Sequence, residues 1–162
     1  MRTKSSFLTA VLISTMAVLV IAAKSKDDPN LHKVRSIYVG AQNSVESDAD
    51  TATRLHSQLT RTLQDLGFTV IDNQTDADAV ITGEIGWIVT FDAPQHDPPR
   101  YGYHYRLESS RYSVTWETEL DAGAKSKPEA DGIGLQRVGR NLFNAWKKSA
   151  TKAGILVGKK LP

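Results

Sequence analysis

The chain has 162 residues, with 20 Lys+Arg, 18 Asp+Glu, no cysteine and a formal net charge of +2. Arg2 and Lys4 are the only charged side chains among residues 1–23, so residues 24–162 carry 18 basic and 18 acidic side chains. A domain of zero net charge is a poor binder of the phosphate backbone, and no nucleic-acid partner is predicted. A sequence without cysteine excludes disulfides, thiolate metal sites and cysteine nucleophiles.

The first 23 residues have the order of parts of a secretory signal peptide. A positive start is followed by the apolar run from Phe7 to Ile21 and then by the small residues Ala22 and Ala23. We therefore predict a signal peptide at 1–23 and one α/β domain at 24–162, located in the periplasm or secreted. The alternative is an uncleaved single-pass anchor, because the apolar run nearly reaches the roughly 17–25 residues that cross a bilayer.

The first part of the domain predicts a strand, a helix and a second strand. The β-branched run Val34–Val39 is typical of a strand, as is Phe68–Ile71. Between them, apolar residues recur at helical spacing, and Gly67 marks the helix end. The residues of this apolar stripe are Ala52, Leu55, Leu59, Leu63 and Leu66.

Three further strands and a last helix are predicted from the remaining pattern. Period-two alternation predicts a long strand over Ala79–Phe91, and two more strands over Tyr101–Leu107 and Arg111–Asp121 that pair as a hairpin. We interpret Ala122–Gly132 as a loop before a helix that ends near Gly154. The predicted fold is α/β (or α+β), with one mixed sheet of four to five strands and two helices packed on one face.

The segment from Val34 to Ile85 resembles a group of small bacterial envelope domains. The motifs that carry the likeness are the strands LGFTVIDN and TDADAVITGEI, which follow a helix with regularly spaced leucines. The group comprises the TolB amino-terminal domain, the curli-secretion lipoprotein, the penicillin-binding-protein activator lipoprotein and the LPS-assembly lipoprotein. This resemblance implies a non-catalytic accessory protein that contacts other envelope components. The chain departs from the lipoproteins of the group because it lacks the cysteine that would carry a lipid.

A cluster of histidine and aspartate around a proline-rich loop is the alternative functional site. Asp92, His96, Asp97 and His104 offer two imidazoles and two carboxylates, the donors that zinc and related metals accept. A periplasmic metal-dependent hydrolase, or a small-ligand binder using this loop, is therefore the second hypothesis. The competing interpretation is a solvated hairpin tip, because the spacing matches no established ligand pattern.

Three tyrosines alternate along one predicted strand. Tyr101, Tyr103 and Tyr105 would share one face, either as an exposed platform for a ring-shaped ligand or as part of the core. The core interpretation is favoured because alternating aromatic residues are ordinary in strands. The sequence holds neither G-x-S-x-G nor H-E-x-x-H, so no catalytic residue, no cofactor and no enzymatic activity are predicted.

The carboxyl-terminal part of the chain is strongly basic. From Gly132 to Pro162 there are seven basic residues and no acid. We predict an exported envelope accessory or adaptor protein whose last helix contacts an envelope protein or an anionic envelope component, including transient contact with a membrane surface. The competing interpretation is an ordinary solvated helix face. The predicted partner-binding residues are Arg137, Arg140, Lys147, Lys148 and Lys152.

Overall fold

The computed structural model describes residues 28–45, 49–87 and 99–162, so the predicted signal peptide lies outside the described residues. A 3-10 helix at Leu31–Lys33 precedes the first strand. The strands are β1 (Ser36–Ser44), β2 (Thr69–Val70), β3 (Ala79–Trp87), β4 (Arg100–Ser109) and β5 (Val114–Gly123). The helices are α1 (Ala49–Asp65) and α2 (Lys127–Lys152).

The strands form one mixed sheet in the order β2-β1-β3-β4-β5. β1 is parallel to both β2 and β3, whereas β4 is antiparallel to β3 and β5. The two helices contact each other and cover the same face of the sheet, to which every second strand residue contributes a buried side chain. The predicted α/β fold with one mixed sheet and two helices is confirmed.

Each helix is followed, two residues after its last residue, by a glycine in the left-handed conformation. Gly67 has φ +96°, and Gly154 has φ +77°. After α1 the N–H of Phe68 donates to the carbonyl of Leu63 and that of Gly67 donates to Gln64, a Schellman motif that pairs carbonyls left open by the helix end. The glycine that the sequence indicated as the end of the first helix therefore has a direct structural role.

The second helix begins earlier than the sequence predicts. Residues 122–132 were expected to form a loop, but α2 starts at Lys127. The Ser126 side chain accepts a hydrogen bond from the backbone N–H of Glu129, and Pro128 occupies the first turn, where its missing N–H costs nothing. Gly132, the last residue of the predicted loop, lies within the helix.

Strand β1 and the hairpin differ from the predicted bounds in smaller ways. β1 continues to Ser44, and a shift of its register against β3 between Val39 and Gln42 accommodates one extra residue of β1 while the pairing continues. The turn between β4 and β5 includes Ser113, which has φ 54°. Residues 88–98, which contain the end of the predicted long strand, lie outside the described residues.

The core lies between the sheet and the helices. Its largest fully buried side chains include Trp146, Tyr103 and Tyr105, and the indole N–H of Trp146 donates to the carbonyl of Val34 at 2.9 Å. Across the described part of the chain, neither helix combines the length and the apolar character that a membrane crossing requires.

Candidate functional site

The five basic residues predicted to bind a partner all lie on the solvent side of α2. We call this surface, formed by Arg137, Arg140, Lys147, Lys148 and Lys152, the α2 cationic face; each of these residues is exposed. The opposite side of the helix carries Leu135, Val138 and Leu142, which are fully buried. α2 is therefore amphipathic, as the sequence pattern of the last helix predicts.

The α2 cationic face is divided between two neighbours of the helix. Arg137 donates to the backbone carbonyl of Asp121 at 2.9 Å, and Lys148 lies beside Trp116 and Thr118 on the β5 side. Arg140 lies on the other side, where it faces α1. The structure thus places these residues on one helix but not in one cluster.

Between the two helices is a groove with a volume of about 500 Å³. We call it the helix groove, and Arg140 of α2 lines one of its walls. From α1 it receives Arg54, Gln58, Arg61 and Asp65, and from α2 it also receives Gly132 and Leu135. The helices approach closely beyond it, because a Cβ at Gly139 would lie 2.5 Å from the Thr62 methyl group.

A buried ionic network lies behind one wall of the helix groove. The carboxylate of Asp131, which is fully buried, accepts from the Lys127 ammonium at 2.8 and 3.0 Å and lies 2.9 Å from the Arg54 guanidinium. The Tyr103 hydroxyl donates to the same carboxylate at 2.9 Å. One carboxylate therefore joins α1, α2 and β4, and it compensates two cations that burial would otherwise make costly.

The tyrosines of β4 are buried, as the core interpretation predicted. Tyr101, Tyr103 and Tyr105 are 2%, 0% and 0% exposed, so the alternative of an exposed aromatic platform is wrong. Burial raises the pKa of the Tyr103 hydroxyl, and the nearby Asp131 carboxylate raises it further. The same two causes, in the same order, raise the pKa of Tyr105.

Asp78 holds the start of the sheet together. Its carboxylate accepts from the backbone N–H groups of Arg35 and Ser36, each at 2.9 Å, and from the Arg111 guanidinium at 3.0 Å. Burial raises the pKa of Asp78, but these hydrogen bonds outweigh it and the net pKa lies below the usual carboxyl value. Asp78 therefore serves the fold, in which it links β1 to the turn after β4.

The predicted metal donors are only partly described. Asp92, His96 and Asp97 lie outside the described residues, and His104 is exposed on the open side of the sheet, in register with Glu84 and Glu119. In the segments 28–45, 49–87 and 99–162, no group of three His, Asp or Glu side chains is placed to hold a metal ion.

Sequence reasoning missed the residues of α1 and of the start of α2 that form the helix groove. Arg54 and Arg61 occur in a helix of mixed charge, where single arginines are unremarkable. Lys127 and Asp131 are four residues apart, which is the spacing of a helical ion pair, but the predicted loop concealed it. A helix start at Ser126 would have revealed that pair.

Comparisons with known proteins support the fold. No protein-family model matches the chain, and no curated protein matches it. Among solved structures, a variant of PelC from Paraburkholderia phytofirmans, solved as a dodecamer, has a TM-score of 0.51 and 14% identity, over 74% of this chain and 94% of that chain. The chain is thus similar in fold to PelC, with an identity that carries the fold alone.

Two further bacterial structures show weaker similarity. The hypothetical protein CT253 from Chlamydia trachomatis has a TM-score of 0.45 and 12% identity, over 72% of this chain and 98% of that one. Lipoprotein GNA1162 from Neisseria meningitidis has a TM-score of 0.41 and 16% identity, over 67% of this chain and 98% of that one.

Proposed function

We propose that the protein is an exported, non-enzymatic accessory protein of the bacterial envelope, and that its α2 cationic face binds an anionic envelope component. The observation that carries this proposal is the separation of charge in the folded domain. Five cations are exposed on α2, and no acid follows Asp131 in the sequence. The signal-like residues 1–23 support export.

The open side of the sheet, opposite the helices, also carries a group of acidic side chains. The side of the sheet that the helices leave open presents Glu84, Glu108, Glu117, Glu119 and Asp121 from three strands. Arg106 on that side is already paired with Glu108 and Glu117, at 2.6 and 3.3 Å. A negatively charged surface would therefore meet attraction from α2 and repulsion from the sheet, which orients the domain.

Anionic lipid is the simplest probe of this proposal. Cations held near an anionic bilayer contribute about 1 kcal/mol each, so the removal of four should weaken binding more than tenfold. We would measure sedimentation of the purified protein with vesicles of phosphatidylglycerol and phosphatidylcholine, at low and high salt. The test variant is Arg137→Gln/Arg140→Gln/Lys147→Gln/Lys148→Gln, and it should remain in the supernatant.

The matched control removes four positive charges outside the α2 cationic face. Lys33→Gln/Lys125→Gln/Lys159→Gln/Lys160→Gln has the same net charge as the test variant and should keep most of its vesicle binding. Equal loss in both variants would show that net charge rather than α2 is responsible for vesicle binding.

A pull-down from envelope extracts tests the adaptor role separately. If the wild type and the test variant recover the same proteins, α2 is not the adaptor surface.

A further inference from the structure

The helix groove has the size and shape of a small-molecule site. Its volume of about 500 Å³ lies within the roughly 300–1,000 Å³ that such sites occupy. Leu66 supplies partly exposed apolar surface, the buried Leu135 lies at the base, and polar side chains from both helices line the rest. A site of mixed character selects a ligand through its few polar groups, so their charges and hydrogen-bonding needs indicate the ligand class.

The charges of the helix groove favour an anion. Arg54 and Arg61 of α1 and Arg140 of α2 line the groove, and Asp65 of α1 is the acidic side chain of its lining. Within the described residues, Arg61 and Arg140 form no ion pair. Arginine presents a planar fork of donors that matches carboxylate and phosphate groups. The guanidinium groups of Arg61 and Arg140, on opposite walls of the groove, can therefore bind an anionic ligand.

Two buried polar atoms in the groove wall lack a hydrogen-bond partner. They are Nη1 of Arg54 and Oε1 of Gln58, which are one helical turn apart on α1. Buried polar atoms are almost always paired, because an unpaired one has lost its water without a replacement. Nη1 requires a hydrogen-bond acceptor and Oε1 requires a hydrogen-bond donor. A ligand that pairs with both atoms must therefore carry an acceptor and a donor.

We infer that the helix groove binds a small hydroxylated anion, in which a carboxylate or phosphate group lies beside a hydroxyl group. The anionic oxygens accept from Arg54, the hydroxyl donates to Gln58, and Arg61 and Arg140 neutralise the remaining charge. Nη1 of Arg54 and Oε1 of Gln58 are buried in the empty groove, but both side chains are partly exposed, so small side-chain rotations on binding bring these atoms to the ligand. Nη2 of Arg54 lies 2.9 Å from Asp131, a contact that limits how far the guanidinium turns.

Two sources supply this chemistry, and direct titration separates them. Glucuronate represents acidic sugars, glycerol 3-phosphate represents lipid-derived headgroups, and glucose is the neutral control. We would titrate each into the full-length protein and follow heat and backbone amide shifts. Binding of either anion or of both supports the inference and identifies the source. Binding of neither anion, or equal binding of glucose, overturns it.

Variants locate the binding in the helix groove. Arg61→Gln/Arg140→Gln should weaken binding of the anion at least about tenfold, since charged hydrogen bonds are lost. The control Arg137→Gln/Lys147→Gln removes the same charge from α2 outside the groove and should change the Kd less than about twofold. Equal weakening by the control would overturn the assignment.

A third variant fills the helix groove and keeps every arginine. A Cβ at Gly132 would have no neighbour within 4 Å, so Gly132→Leu projects into open space in the groove. It should abolish binding while the thermal unfolding temperature stays at or above that of the wild type. Retained binding in this variant would place the ligand elsewhere and overturn the inference.

This inference goes beyond the proposed function, and the two fail separately. Arg61 belongs to α1 and not to the α2 cationic face. Arg61→Gln should therefore lose affinity for the small anion and keep vesicle binding. The reverse result, with vesicle binding lost and anion binding intact, would refute the groove assignment and would also show that vesicle binding does not depend on α2 alone.

Discussion

The two sides of the sheet use polar residues in opposite ways. On the side covered by the helices, Tyr103 and Tyr105 are fully buried, and each hydroxyl has one defined partner, Asp131 or Gln42, at 2.9 and 2.7 Å. On the open side, Glu84, His104 and Glu119 lie in one cross-strand row and are exposed to solvent. Polar groups under the helices must be hydrogen-bonded for the fold to be stable, whereas those on the open side can be substituted with little loss of stability.

The covered side also requires glycine where an aromatic ring lies. A Cβ at Gly134 would come within 2.6 Å of the Tyr103 ring, and a Cβ at Gly83 would collide with the ring of Tyr105. Each tyrosine thus occupies space that a glycine leaves free. The contrast between the two sides indicates that a few specific contacts on the covered side contribute most of the stability that polar residues and glycines provide.

The largest effect is expected from removing the buried carboxylate. Asp131→Ala leaves the cations of Lys127 and Arg54 without their counter-charge and should lower the free energy of unfolding by about 3–5 kcal/mol. Denaturant unfolding at neutral pH measures it. Glu129→Ala, an exposed acid of the same helix, is the control and should change stability by less than about 0.5 kcal/mol. Similar losses in both variants would contradict the network.

An intermediate effect is expected from two neighbouring glycines of α2. Gly134→Ala forces the Tyr103 ring to move and should destabilise the protein by about 1–3 kcal/mol. Gly132→Ala enters open space and should stabilise it by about 0.5–1 kcal/mol, because alanine is the better helix former. Thermal unfolding of both variants gives the comparison. If both changes have the same sign, helix propensity and not the tyrosine contact governs these positions.

The smallest effect is expected on the open side of the sheet. His104→Ala removes an exposed side chain and should change the free energy of unfolding by less than about 0.5 kcal/mol. Unfolding would be measured with and without added zinc, because a metal bound to the native state raises its stability. Stabilisation of the wild type by zinc that disappears in His104→Ala would support the metal hypothesis.

Local patterns were sufficient to predict most of the architecture. Alternation placed Tyr101, Tyr103 and Tyr105 on the covered side, and helical spacing placed Leu55, Leu59 and Leu63 in the core. Both patterns work because the periods of a strand and a helix map sequence directly onto faces. The start of α2 was mispredicted because charged residues usually indicate an exposed loop, whereas Lys127 and Asp131 are buried and pair with each other, and Asp131 also pairs with Arg54.

What the sequence by itself determined was the class of fold, the faces of its elements and the basic character of the last helix. Tertiary structure alone decided that Asp131 is buried and that Arg54 and Arg140 share a groove. Tyr103 is 28 residues from Asp131 in the chain, and Arg54 belongs to a different helix. The reason is physical: a period records which way a side chain points, while charge pairing and cavities depend on which elements pack together.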